Sequence, residues 1–160
     1  MSECRWSVVL GDNGALSVTG EHGGVRGAQP AVEFAGEARW TGWTEVTEGP
    51  EGTERVYRGG GVEMRVRVSA RGEWIVVESA VRNVSAAALK LEAITVLEGE
   101  LAHGERAYER CYVQGPTMCE VAAVRALADV ETERSHMVAG FSDQHGSSAV
   151  VMGFEAHDVS

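Results

Sequence analysis

The sequence predicts an all-β protein built as an antiparallel β-sandwich. Three observations carry that prediction. Val62, Met64, Val66 and Val68 alternate with Glu63, Arg65 and Arg67. This is the period of two expected of a strand with one buried and one wet face. Apolar runs recur along the chain at intervals of about 8 to 12 residues, with Gly-rich turns between them, as in sandwiches and barrels. The 160 residues include 20 Gly, three Pro and a single Lys, Lys90, a balance that favours turns over surface helices.

The elements follow in order. Residues 6–10 read as a short strand. Asp12-Asn13-Gly14 makes a tight turn, because Asn and Gly tolerate positive φ. Residues 15–18 form the return strand, and the Gly-rich stretch 20–27 reads as a loop. Segments 31–35, 39–46 and 55–57 are further strands set between Gly and Pro breaks. Gly59-Gly60-Gly61 lacks the Lys and the helix of a phosphate loop, so it reads as a flexible turn. Residues 62–68 and 74–81 form a hairpin around Ala70-Arg71-Gly72. Asn83-Val84-Ser85 ends that hairpin and fits a glycosylation sequon. Without a secretory signal the sequon is expected to be inert.

A strand follows over 89–97, and another over 107–113 carries Tyr108 and Tyr112. Segments 137–141 and 149–154 pair around Asp143-Gln144-His145-Gly146. Residues 119–130 suit one short helix by their Ala and Leu content and a strand by their Val content.

The length is that of a single domain spanning residues 1–160. No stretch resembles a signal peptide or a membrane span. Fourteen basic against 24 acidic residues give a net charge of −10. That balance argues against nucleic acid and against an anionic membrane as partners, since phosphate binding is driven by Lys and Arg. Cys4, Cys111 and Cys119 form an odd, scattered set without a Cys-x-x-Cys pair. They read as reduced thiols of a cytoplasmic protein. No metal or other cofactor is expected.

Catalytic chemistry has no local signature. There is no Gly-x-Ser-x-Gly elbow, and the five His never fall at metal-ligand spacing. His136 and His145 could approach across the late hairpin, but His145 reads first as a solvated turn residue. No residue is assigned a catalytic role. Trp40 and Trp43 stand three apart, a spacing that points them to opposite faces of a strand. An exposed Trp makes a stacking platform for a sugar ring. Packing at the edge of the core is the plainer alternative.

Three segments in order resemble a known family. They are 76–91, with Asn83-Val84-Ser85 between two strands, then Arg110-Cys111-Tyr112-Val113-Gln114-Gly115, then 135–154 with its strand ending in Gly153-Phe154. Together they resemble the N-terminal β-supersandwich domain of glycoside hydrolase family 36 α-galactosidases, the melibiase-like enzymes. The resemblance covers about residues 60 to 158 and implies a supersandwich, or galactose-mutarotase-like, fold. In that family the catalytic carboxylates lie in a following (β/α)8 barrel, which these residues do not encode. The family's sandwich is also longer than 160 residues. The resemblance therefore implies a piece of a longer N-terminal domain, or a relative without the rest.

The function so implied is a non-catalytic module that braces a catalytic barrel, self-associates, and rims a galactoside site. The loop after residue 113 lends a Trp to the sugar pocket in that family. Here it carries Thr117 and Met118 instead. The carbohydrate-contact candidates are therefore Trp40 and Trp43, read from the stacking argument above, with Thr117 and Met118 from the loop that the resemblance matches. Two other readings remain open. One is an acidic β-sandwich that binds a protein partner through an edge strand or apolar patch. The other is a small mutarotase-like enzyme, for which His136 and Glu155 are the pair to test.

Overall fold

A computed structural model describes residues 6–11, 14–36, 42–48, 53–71, 74–114, 123–129, 138–147 and 149–153. Twelve strands run through it: β1 (Ser7–Leu10), β2 (Leu16–Gly20), β3 (Gly23–Phe34), β4 (Glu45–Glu48), β5 (Glu54–Gly59), β6 (Val62–Arg71), β7 (Trp74–Asn83), β8 (Leu91–His103), β9 (Arg110–Val113), β10 (Ala123–Ala126), β11 (Val138–Ser142) and β12 (Ala149–Gly153). The predicted all-β class is what the chain adopts. Within the segment left open between helix and strand, β10 is a strand, and Leu127–Asp129 adds one 3-10 turn. Among the described residues no helix is long and apolar enough to cross a membrane.

Contacts divide the chain into two compact units, one of residues 1–20 and 25–102, the other of 21–24 and 103–160. In the first unit, two four-stranded sheets run in the orders β1-β2-β3-β8 and β4-β5-β6-β7. Leu16, Val18, Val32 and Phe34 of one sheet share a core with Tyr57, Val62, Met64, Val66 and Val68 of the other. This is the sandwich. Met64 and Val32 are fully buried, and each such side chain contributes about 1.5–3 kcal/mol by leaving water.

The predicted hairpin is present and long. β6 and β7 pair antiparallel from Val62↔Asn83 to Arg71↔Trp74 without a slip. Before it, β5 and β6 meet at Gly59↔Val62, leaving Gly60 and Gly61 as a two-residue turn. Their φ values are +52° and +81°. Positive φ at both central residues is the geometry of a type I′ turn, which only Gly and Asn adopt cheaply. The Gly triplet is thus a shaped hairpin turn.

The stretch 20–27 departs from expectation. Glu21 and His22 alone form the turn, and β3 starts at Gly23. A Cβ on Gly99 of β8 would lie 2.5 Å from the carbonyl oxygen of Arg26 and 2.8 Å from the Cα of Ala28. Bare backbone on β8 lets the two chains close up, the usual meaning of Gly inside a strand.

The second unit carries a four-stranded sheet in the order β10-β9-β11-β12. The predicted late pair is its β11–β12 hairpin, from Val138↔Gly153 to Ser142↔Ala149. Cys111 is buried and free. The ring of Tyr108 meets His103 edge-on at 5.1 Å and lies 6.3 Å from Phe141. Its hydroxyl donates to the carbonyl of His22.

Candidate functional site

Trp43 is the one member of the predicted carbohydrate set that lies among the described residues. Trp40, Thr117 and Met118 lie outside them, as do His136 and Glu155. Trp43 is half-buried and packs against the sandwich core. Its Nε1 donates to the carbonyl of Pro30 at 2.9 Å, and its ring lies 5.5 Å from that of Tyr57. The edge-of-core role describes it, because Tyr57 and Pro30 engage the indole.

Tyr57 is itself anchored. Its hydroxyl donates to the carbonyl of Gly14 at 2.6 Å. Burial raises the hydroxyl's pKa above the usual tyrosine value, and the charge of Arg55 works against that rise.

The solvent face of the β4–β7 sheet is ordered in rows. Register sets Glu45 opposite Arg58, Arg58 opposite Glu63, and Glu63 opposite Arg82. A second row sets Glu54 opposite Arg67, and Arg67 opposite Glu78. Between them lies the row Thr47, Val56, Arg65, Ala80. Charge therefore alternates along both outer rows, the favourable arrangement for directly opposed residues.

Glu63 is the hub of this face. Arg58 Nε donates to its Oε2 at 2.8 Å, and Arg65 Nε donates to its Oε1 at 3.0 Å. Arg58 also reaches Glu45 at 3.2 Å. The hydrogen bonds from Arg58 and then Arg65 hold the Glu63 carboxyl below the usual range, although its partial burial opposes them. The same bond to Glu63 raises the guanidinium pKa of Arg58.

β7 ends this sheet. Among the described strands none pairs with its outer edge. Glu78, Ser79, Ala80 and Arg82 are exposed along it, while Ile75, Val77 and Val81 pack part-buried on the core. Trp74, at the head of the strand, is 69% exposed. At the strand's end, Asn83 braces the turn that follows. Its Oδ1 accepts from the Ser85 amide at 2.9 Å, and its Nδ2 donates to the Ala87 carbonyl at 2.8 Å. That turn holds out Val84 and Leu89, and β8 opens with Leu91 and Ile94, all four apolar and exposed. Isolated apolar side chains on a surface are ordinary. A ten-residue strand whose outer edge no described strand pairs, with an exposed Trp at its head, is not.

A polar cleft lies in the second unit. Its volume is about 220 Å³, and Glu21, His22, Glu105, Arg106 and Ser147 line it. Arg106 lies 3.6 Å from the buried carboxylate of Asp143. The Ser147 amide donates to that carboxylate at 2.8 Å, closing the loop between β11 and β12. Among the described residues no cluster of His, Cys, Asp and Glu could hold a metal ion.

The β7 edge is not legible as a site in the sequence. The alternation over 62–81 is its one sequence signal, but an edge shows only once strand order is known. No family model, curated protein or solved structure matches the chain.

Proposed function

We propose that this chain is a β-sandwich binding module that docks a protein partner along the β7 edge. The observation that carries this is the ten-residue outer edge of β7, which no other described strand pairs, with Trp74 standing out at its head. An open edge supplies backbone donors and acceptors to an added strand, and alternate side chains supply specificity. Aromatic residues are the common anchors of such contacts. The resemblance to α-galactosidase sandwiches suggests one form of partner, a catalytic barrel that such a module braces.

A photo-crosslinking residue at position 74, introduced in the source cells, tests this. A discrete adduct from position 74, absent from exposed position 26, is expected. Absence of any discrete adduct at 74 overturns the reading.

The cleft favours a second reading, a small sugar-modifying enzyme. His22 stands there with Glu21 and Glu105, the residue types that general acid–base exchange at a sugar requires. Galactose anomerisation followed with the chain and with His22→Ala tests it. Equal rates would dismiss it.

A further inference from the structure

We propose that β7 pairs antiparallel with β7 of a second copy of this chain, about a two-fold axis at Ala80. This rests on the reading of the edge as a docking surface and names its occupant. β7 suits the role. It is ten residues long, holds a continuous register with β6, and contains no Pro. A two-fold interface must match itself, so residue i meets j while j meets i.

Face and charge together select one register. Trp74, Val76, Glu78, Ala80 and Arg82 lie on the solvent face, alternating with residues turned to the core. Registers that oppose a solvent-face residue to a core-face residue are excluded, because the sandwich would lose continuity. Centring the pair on Glu78 or on Arg82 sets a charge against its own copy. Centring it on Ser79 or Val81 sets both charges against Ala80 and a Val.

Centring it on Ala80 sets Glu78 opposite Arg82 of the second copy, twice by symmetry. The same register brings Val76 level with Val84 of the second copy, one residue past the end of β7, and Val84 is 51% exposed in the single chain. A small side chain then sits on the axis, where opposed Cβ atoms come within about 4.5–5.5 Å.

The charge rows continue across this seam. Glu45, Arg58, Glu63 and Arg82 of one copy run into Glu78, Arg67 and Glu54 of the other, with signs alternating throughout. The chain's net charge of −10 would keep copies apart in general. This face is the exception. Five of the 14 basic residues, Arg58, Arg65, Arg67, Arg71 and Arg82, lie on it, beside Glu45, Glu54, Glu63 and Glu78. Two copies therefore meet here locally balanced.

Sedimentation velocity of the full chain across concentrations is the first test, with disulfide trapping as the second. A reversible dimer is expected, weakened by added salt. Glu78→Arg should raise its Kd by about tenfold, because both attractive pairs become repulsive. The double change Glu78→Arg with Arg82→Glu should recover most of that loss. Because Glu78 also faces Arg67 within the chain, the trapping experiment uses a gentler substitution. Ala80→Cys should oxidise to a covalent dimer well beyond wild type, whereas Val76→Cys should not.

A monomer at every concentration overturns the proposal, as does a dimer trapped equally by both cysteine variants. A monomer that still yields the adduct from position 74 removes the second copy and keeps the docking edge. Loss of dimer and adduct together removes both.

Discussion

The hydroxyl of Tyr57 donates to the carbonyl of Gly14 across 43 residues of sequence, at 2.6 Å and buried from solvent. One strand of the second sheet thereby ties down the turn that joins β1 to β2 in the first. Gly14 takes φ of +80°, and a Cβ there would lie 3.0 Å from Val46 and 3.2 Å from the Tyr57 ring. Tyr57→Phe leaves the Gly14 carbonyl buried without its donor. Urea unfolding should show a loss of about 1–3 kcal/mol. Gly14→Ala meets both steric contacts and the unfavourable φ, so it should cost at least as much.

Tyr57 also makes stability fall in alkali. Its folded pKa is raised above the ordinary value of 10.0. A raised value favours the protonated form in the folded chain. Its contribution is therefore complete below pH 10.0 and is lost as pH climbs through the raised folded value. Thermal melts between neutral and strongly alkaline pH should show this decline in wild type and a shallower one in Tyr57→Phe.

Glu63 acts at the other end of the scale. Its folded pKa lies below the ordinary 4.5, through hydrogen bonds from Arg58 and Arg65. Its contribution is present above pH 4.5 and is lost as pH falls through the depressed value. Glu63→Gln should flatten that acid limb of the stability curve and leave the alkaline limb unchanged. An acid limb of the same depth in the variant would contradict this.

Two glycines should resist even a methyl group. Gly99→Ala would push β8 from β3, because the added carbon meets backbone rather than a flexible side chain. Gly61→Ala would meet the Ser85 Cβ at 2.9 Å and hold an L-residue at φ +81°. Each should cost more than about 1 kcal/mol in urea unfolding, whereas Gly60→Asn should cost less because Asn accepts this turn.

The β6–β7 hairpin was legible because Val62, Met64, Val66 and Val68 are buried while Arg65 and Arg67 are exposed. One strand with one wet face writes its own period. β3 was legible only from Ala31 onward. Its earlier residues, Gly23, Gly24 and Gly27 among them, lack the side chains that signal a strand, and pairing with a distant segment overrides that weakness. Trp43 was ambiguous for a similar reason. Its partners Pro30 and Tyr57 stand 13 and 14 positions away, and only folding brings them together. The charges of the β4–β7 face were visible individually, yet which Glu opposes which Arg is a matter of register. That Glu45 and Arg58 meet depends on where β4 docks on β5.

The two sheets of the sandwich differ in when they can form. β4 to β7 follow one another as a meander, each strand pairing with its predecessor. β3 finds β8 only after that whole meander has intervened, and the Ala35 amide donates to the Lys90 carbonyl at its far end. Closing so long a loop carries an entropic cost that the local hairpins avoid. As the chain leaves the ribosome, the meander sheet can assemble while β3 still lacks its neighbour. Amide protection during refolding should therefore appear at Met64 and Val66 before Ala28. The reverse order would mean that the distant pairing leads.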